Sequence, residues 1–371
     1  MTIKNKRRAQ LAAIGTLAAA ALVLAGCSAT TGADGEETFD LTWTSYTTPE
    51  GYYSMAMDEW ISIVEEKTEG RVTIEPFYMG SLCSTMDGLA CAKDGRADIA
   101  YTSPAFHPAE FPLANVVTVP FVAKDPVAQT AAAASLYESN ADYAAEFEAE
   151  GIHALYFAPV TTSILGTKTA VDSYAELKGL SVRSTARMLK ASEIAGSNPS
   201  AIPVSEIYES IENGVIDAWS ATGLESAITE WNLGEVTPYM TDTQSGSFIN
   251  VMAIINAEVW NTMPADIQKI MTEASDTVWG GLSGEYLDAI FDETCDRAAD
   301  QGVTLSTWSD AESKKWADAV GDTLLNDWKS EVKAGSDADV DAFYADYLQQ
   351  LEDASATSTY VAPVEYCLAR G

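Results

Sequence analysis

Histidine is nearly missing from this chain of 371 residues: there are two, His107 and His153. His107 sits in Pro104-Ala105-Phe106-His107-Pro108 and His153 inside an apolar, strand-like run, so neither has the setting of a general base. Both are read as structural. No H-E-x-x-H, G-x-S-x-G, P-loop or Rossmann glycine pattern occurs either, which removes the motif-borne hydrolase, nucleotide and dinucleotide chemistries. Acidic pairs such as Glu36-Glu37 and Glu65-Glu66 are plentiful. In so acidic a chain they are solvated faces, and choosing two of them as a glycosidase dyad would be arbitrary. The chain is not expected to be an enzyme.

Basic residues are the second shortage, with 21 Lys and Arg against 55 Asp and Glu and a formal net charge of −34. Four of the positive charges lie in the first eight residues, so the chain beyond them sits near −38. Such a surface repels phosphate, which excludes nucleic acid as a partner and weighs against docking on anionic lipid. It also hints at a saline habitat. Cysteine is sparse too: five residues, no C-x-x-C spacing and few histidines leave no zinc site, and no metal or cofactor is expected.

Long apolar runs are absent but for one, Leu11 to Ala25, which follows Lys4, Lys6, Arg7 and Arg8. Charged start and short apolar stretch make 1–26 a secretory signal peptide rather than a membrane span. The run ends Leu24-Ala25-Gly26-Cys27, which looks like a bacterial lipobox. Cys27 is therefore expected to be diacylated and to become the first residue after cleavage. Residues 27–38, rich in small and acidic residues, then read as a tether. The expected location is extracytoplasmic, held by lipid to the outer face of the cell membrane. Cys83, Cys91, Cys295 and Cys367 remain, an even number in an oxidising compartment. Of the three pairings, Cys83–Cys91 is favoured by sequence proximity and Cys295–Cys367 because it would clip the C-terminal tail.

What is present alternates. Phe39 to Thr44 reads as a strand; Tyr53, Met57, Trp60, Ile61 and Val64 follow at helical spacing, stopped at Gly70; Val72, Ile74 and Pro76 form the next strand. A helix over about 84–93 and strands over 97–101 and 152–160 continue the pattern, which argues for a parallel-rich α/β sheet. A second α/β unit begins near 161, with a short helix over 173–178, a strand over 180–182, a helix over 205–213 capped by Gly214, a short strand at Val215-Ile216 and an apolar strand over 248–255. After Pro264, apolar residues from Ile267 to about Ala299, interrupted only by Gly280 and Gly281, predict a helix of roughly 35 residues and about 50 Å, long enough to span two domains. Ser309 and Glu312 suggest a capping box ahead of a last helical region from Trp316.

Among the few arginines, Arg183 stands at the C-terminal end of a predicted strand, where ligands gather in open α/β sheets. Its planar fork of donors matches a carboxylate. Arg187, four residues on, could add positive potential, but an ion pair with a neighbouring acid is the plainer role.

Several strings follow one another in a telling order: Thr68-Glu69-Gly70-Arg71-Val72, Gly95-Arg96-Ala97-Asp98-Ile99, Phe111-Pro112-Leu113 with Val119-Pro120-Phe121, and Glu176-Leu177-Lys178-Gly179-Leu180-Ser181-Val182-Arg183. They continue with Pro203-Val204-Ser205-Glu206-Ile207-Tyr208, Asn213-Gly214-Val215-Ile216-Asp217 and Asn261-Thr262-Met263-Pro264. On these, from about Phe39 to Leu348, the sequence resembles the solute-binding subunit of TRAP transporters, the tripartite ATP-independent uptake systems. The resemblance implies a two-domain, periplasmic-binding-protein-like α/β fold of class II type. It also implies a small carboxylate ligand between the domains and a membrane permease as partner. The strand-end arginine that binds the carboxylate would be Arg183. The cleft would also draw on Tyr46 and Thr47 after the first strand, Thr102 and Ser103 after the G-x-x-D-I motif, and Trp219 and Ala221 after the G-V-I-D strand. Phe248, opening the apolar strand that returns between the domains, completes the candidate set. Ser103 and Ala221 replace the Glu and Asn of the sialic-acid type, which argues against that ligand, and Trp219 beside Tyr46 suggests an aromatic surface against it.

The expected layout is a leader over 1–26, a tether over 27–38, a first domain of 39–160 plus about 249–285, a second of 161–248 plus about 286–345, and a C-terminal extension over 346–371. Rival readings are a binding lipoprotein serving an ATP-driven importer or a sensor kinase, a secreted lyase or hydrolase acting on organic acids, and an adhesive surface lipoprotein. The missing base and nucleophile argue against the enzyme.

Overall fold

In the computed structural model, residues 30–31, 37–280 and 285–370 are described; the leader, Cys27 and the 281–284 junction of the expected long helix lie outside them. Among the described residues twelve strands form two six-stranded sheets. In chain order these are β1 (Thr30–Thr31), β2 (Glu37–Thr44), β3 (Val72–Phe77), β4 (Ile99–Thr102), β5 (Ile152–Pro159), β6 (Ile164–Thr167), β7 (Ser181–Arg183), β8 (Asn198–Ser200), β9 (Ala218–Trp219), β10 (Tyr239–Asp242), β11 (Asn250–Asn256) and β12 (Thr304–Thr307).

The first sheet runs β3-β2-β4-β11-β5, with β1 antiparallel to the start of β2. The expected tether over 27–38 thus contains a short strand pairing, Thr30 with Thr38 and Thr31 with Glu37. β3, β2 and β4 are parallel, as strand–helix alternation requires, whereas β11 enters antiparallel between β4 and β5 because it arrives from the other lobe. The second sheet runs β12-β10-β6-β9-β7-β8, with β8, β7 and β9 parallel. The short strand expected at Val215-Ile216 lies instead at Ala218–Trp219, and Val215 is exposed.

Helices cover both faces of each sheet, so each lobe is a three-layer α/β unit and the expected fold class is the one the chain adopts. The helix Tyr52–Lys67 buries Tyr53, Met57, Trp60, Ile61 and Val64 on one stripe, the residues whose spacing predicts it. Thr68 Oγ1 donates to the Val64 carbonyl at 2.7 Å, and Gly70 takes a positive φ of 78° as the chain turns into β3. The second half of the expected capping box is displaced: Ser309 accepts from Glu312 N, but the Glu312 carboxylate accepts from Tyr174 N of another element. A complete box forms at Ser173 and Glu176.

The apolar periodicity after Pro264 belongs to two described helices, Ala265–Gly280 and Glu285–Asp300. The first packs on the helix Tyr52–Lys67 and β5 of the first lobe, the second on the turn Ser226–Glu230 of the second. The chain changes lobes between β5 and β6 and between β10 and β11, near 160 and 248.

Beyond residue 320 the expected boundaries need correction. Trp328, Val332, Val340, Phe343, Tyr347 and Leu351 are buried with Phe111, Leu136, Tyr143 and Phe147 in the first lobe. They do not belong to a second domain ending near 345 and an extension after it. Helical spacing shows which face is apolar but not which lobe it meets. The last helix, Pro363–Arg370, returns to the second lobe, where Cys367 is bonded to Cys295; Cys83 is bonded to Cys91 in the first.

Gly166 in β6 carries no side chain because the Trp219 indole occupies that space, its Nε1 donating to Thr237 Oγ1 at 3.0 Å. Gly166→Ala would overlap the ring and is expected to cost about 1–3 kcal/mol. Thermal denaturation should show the midpoint lowered by several degrees; an unchanged midpoint would refute this packing account.

Candidate functional site

Arg183 ends β7, flanked in register by Ser200 of β8 and Trp219 of β9. The loops that leave those two neighbours close around its guanidinium. Nε donates to the Ile202 carbonyl at 2.8 Å, and one terminal nitrogen donates to the carbonyls of Ser220 (3.0 Å) and Ala221 (3.3 Å) and to Thr222 Oγ1 (3.4 Å). Ala221 adopts φ 62°, a left-handed conformation that costs a non-glycine residue about 1–2 kcal/mol, while its amide receives Ser163 Oγ as acceptor at 2.9 Å. The strained turn is thus held from both sides.

Arg183 is 7% exposed, yet no carboxylate among the described residues lies within 4.0 Å of it. Desolvation lowers its pKa to about 10, which still leaves it charged at neutral pH. Carbonyl dipoles on one side of the guanidinium offset part of the burial cost. A full counter-charge is missing, and an isolated buried cation is expensive.

The guanidinium faces a cavity of about 330 Å³ between the lobes. Tyr46, Tyr53, Ser103 and Phe106 line it from the first lobe; Ile202, Ala221, Thr222, Glu230 and Trp231 from the second; Val160 and Ile249 from the crossings. Through Ala105 and Ala201 it adjoins a larger interlobe groove of about 830 Å³, lined in part by Arg187, Lys190 and Glu331. Arg187 pairs there with Glu331.

Of the expected site residues, Arg183, Tyr46, Ser103 and Ala221 meet at this cavity. The other four do not line it. Thr47 is buried under the loop, its hydroxyl between Ser45 Oγ (2.9 Å) and Ser54 Oγ (2.5 Å). Thr102 is fully buried and bonded to His107 Nε2 at 3.0 Å. Trp219 lies in the second-lobe core against Gly166, so the aromatic surface at the cavity is Tyr46, Tyr53, Phe106 and Trp231 instead. Phe248 packs with Trp308 and Trp316 in the core, and its neighbour Ile249 takes the lining position. In each pair the strand pleat or turn shifts the exposed residue by one or two positions, which spacing alone does not reveal.

Sequence reasoning missed Tyr53, which helical spacing assigns to the core, and the whole segment from Thr222 to Trp231. The available signal was position: the segment leaves the C-terminal end of β9, beside that of β7. It carries a buried acid, Glu225, and a half-buried one, Glu230. Glu225 accepts from Thr161 Oγ1 at 2.5 Å on the crossing between lobes, and desolvation raises its pKa. Glu230 accepts from Thr48 N of the first lobe at 3.1 Å, and desolvation, with a smaller push from Glu225, raises its pKa to about 7.

Neither histidine reaches the cavity. His153 stacks on Trp260 at 4.2 Å, and burial lowers its pKa to about 4. Among the described residues no group of three or more His, Cys, Asp or Glu could hold a metal, and no helix is long and apolar enough to cross a membrane.

Residues 44–330 match the family described as bacterial extracellular solute-binding protein, family 7. The chain is 21% identical over 296 residues to the 2,3-diketo-L-gulonate-binding periplasmic protein of Escherichia coli, covering 76% of this chain and 85% of the relative. A TRAP solute-binding protein of Rhodoferax ferrireducens, solved with copurified benzoate, superposes with a TM-score of 0.75 at 19% identity, over 86% of this chain and 99% of the other. An extracytoplasmic solute receptor of Bordetella pertussis that binds pyroglutamic acid gives 0.70 at 21% identity, over 86% and 100%.

Because Glu230 has a raised folded pKa, the folded state keeps a proton that the unfolded chain has released between pH 4.5 and about 7. Stability therefore falls with rising pH across that window. Glu230→Gln carries no such charge, so its advantage over the parent should grow from pH 5 to pH 8. Urea midpoints at the two values read this directly, and an equal difference at both would contradict the desolvation of the carboxylate.

Proposed function

Given that the chain belongs to the bacterial extracellular solute-binding proteins of family 7, we propose that Arg183 takes the carboxylate of a small organic acid in the interlobe cavity, for delivery to a TRAP-type permease. The observation that carries the reading is a buried guanidinium with no carboxylate partner among the described residues, facing a cavity walled by both lobes. A ligand carboxylate would supply the missing counter-charge through two parallel hydrogen bonds. That the relatives bind diketo-gulonate, benzoate and pyroglutamic acid, all carboxylates, supports it.

The cavity sits where the chain crosses twice between lobes, so a bound acid would touch both and favour their closed arrangement. Tyr46, Ser103 and Ala221 are proposed as further ligand contacts. Thr47, Thr102, Trp219 and Phe248 are not retained. The leader and the lipobox-like Leu24-Ala25-Gly26-Cys27 support an extracytoplasmic receptor lipidated at Cys27 and held at the outer face of the cell membrane.

A thermal-shift screen with benzoate, L-pyroglutamate, D-glucuronate and D-galactonate should find at least one acid that raises the unfolding midpoint, since a ligand at about 100 times its Kd adds about 2.7 kcal/mol. Arg183→Ala should weaken that acid by two orders of magnitude or more in calorimetry, because losing one partner of a buried ion pair costs about 3–5 kcal/mol. Unchanged affinity in a variant with the parent circular dichroism spectrum would remove Arg183 from the site.

A further inference from the structure

The same cavity holds a second ionisable group. Glu230 stands on the turn Ser226–Glu230, packed against the helix Glu285–Asp300, and its carboxylate reaches the cavity opposite the first-lobe loop that follows β2. One oxygen is committed, accepting Thr48 N. The other has no hydrogen-bond partner among the described residues, and no Lys, Arg or His among them lies within 4.0 Å of either. Arg183 and Glu230 therefore line one enclosure without neutralising each other. The surfaces beside them, Met86, Phe106, Ile202, Val251 and the faces of Tyr53 and Trp231, are largely apolar.

The half-buried Glu230 carboxylate keeps an oxygen free to accept a donor that a ligand brings, and a hydrogen bond to a charged group is stronger than one between neutral groups. It also repels a second negative group. We propose that Glu230 sets the specificity of the site. The ligand carries, besides the carboxylate taken by Arg183, an N–H, O–H or ammonium donor that Glu230 accepts, and a dianion is rejected. The inference rests on the proposed carboxylate-receptor reading and narrows it to donor-bearing monoacids and zwitterions.

Matched probes test it by calorimetry on the full chain at pH 8, where the carboxylate is charged. L-Pyroglutamate is compared with cyclopentanecarboxylate, the same ring size without the N–H; 3-hydroxybenzoate is compared with benzoate; L-proline brings an ammonium group and succinate a second carboxylate. The parent should bind at least one donor-bearing probe about ten- to a hundredfold more tightly than its donor-free partner, the range expected for a hydrogen bond to a charged group. Succinate should be the weakest. In Glu230→Gln, which keeps an acceptor for Thr48 N, that preference should shrink about tenfold, while binding of the donor-free partner stays within about threefold. Equal affinities within every matched pair in the parent would overturn the inference without any variant. So would an unaltered preference in Glu230→Gln.

Arg183→Ala separates the two proposals. If donor-free acids bind the parent in an Arg183-dependent way and no pair differs, the receptor reading stands and this inference fails. If no acid binds the parent at all, both fall.

Discussion

Everything at the cleft depends on one unbalanced charge. Arg183 donates to three carbonyls and a hydroxyl, all from its own lobe, and these acceptors fix its orientation without cancelling its charge. A guanidinium so placed is expensive to bury and is tolerated because surrounding structure over-determines it: β7 is sandwiched between two parallel neighbours, and the left-handed Ala221 turns a carbonyl inward. In a chain of net charge −34, that no acid among the described residues pairs with this cation is itself a constraint on sequence. The nearby Arg187, by contrast, is paired with Glu331.

The walls come from residues far apart in sequence. Tyr46 and Tyr53 follow the second strand, Ser103 and Phe106 the fourth, and Ala221 to Trp231 the ninth, so the enclosure exists only once both sheets are formed and set against each other. The two crossings put Val160 and Ile249 between them, and Thr161 on the first crossing is tied to Glu225. Gly223 has no room for a side chain beside that pair. The link between lobes and the floor of the cavity thus share atoms.

Much of the architecture was legible. Alternating strand and helix signals gave two α/β units, and the stripe Tyr53, Met57, Trp60, Ile61, Val64 is the buried face of its helix. Arg183 was legible for a physical reason: rare in this sequence, it ends a strand where such sheets collect ligands. Its neighbours were less so. Trp219 and Ala221 are two residues apart, yet one is core and the other cavity wall, because a left-handed turn intervenes. Glu230 hid among 55 acids, since composition cannot tell a cavity-lining carboxylate from a solvated one. Likewise the apolar face of the helix Val340–Ser355 was evident, whereas its seat on the first lobe is decided by tertiary packing.

The helix Thr323–Gly335 bears on how the lobes can move. Leu324, near its start, is seated in the second-lobe core, and Trp328 and Val332 in that of the first, with Trp328 Nε1 donating to the Pro112 carbonyl at 2.8 Å. A rod of thirteen residues, about 20 Å long and stiff along its axis, therefore has a foot in each body. Separating the halves would unseat one foot, so the rod fastens the two bodies to each other. The same helix also walls the large groove beside the cavity, through Leu324, Asp327 and Glu331, so the strut that fastens the lobes is part of the wall a solute would pass.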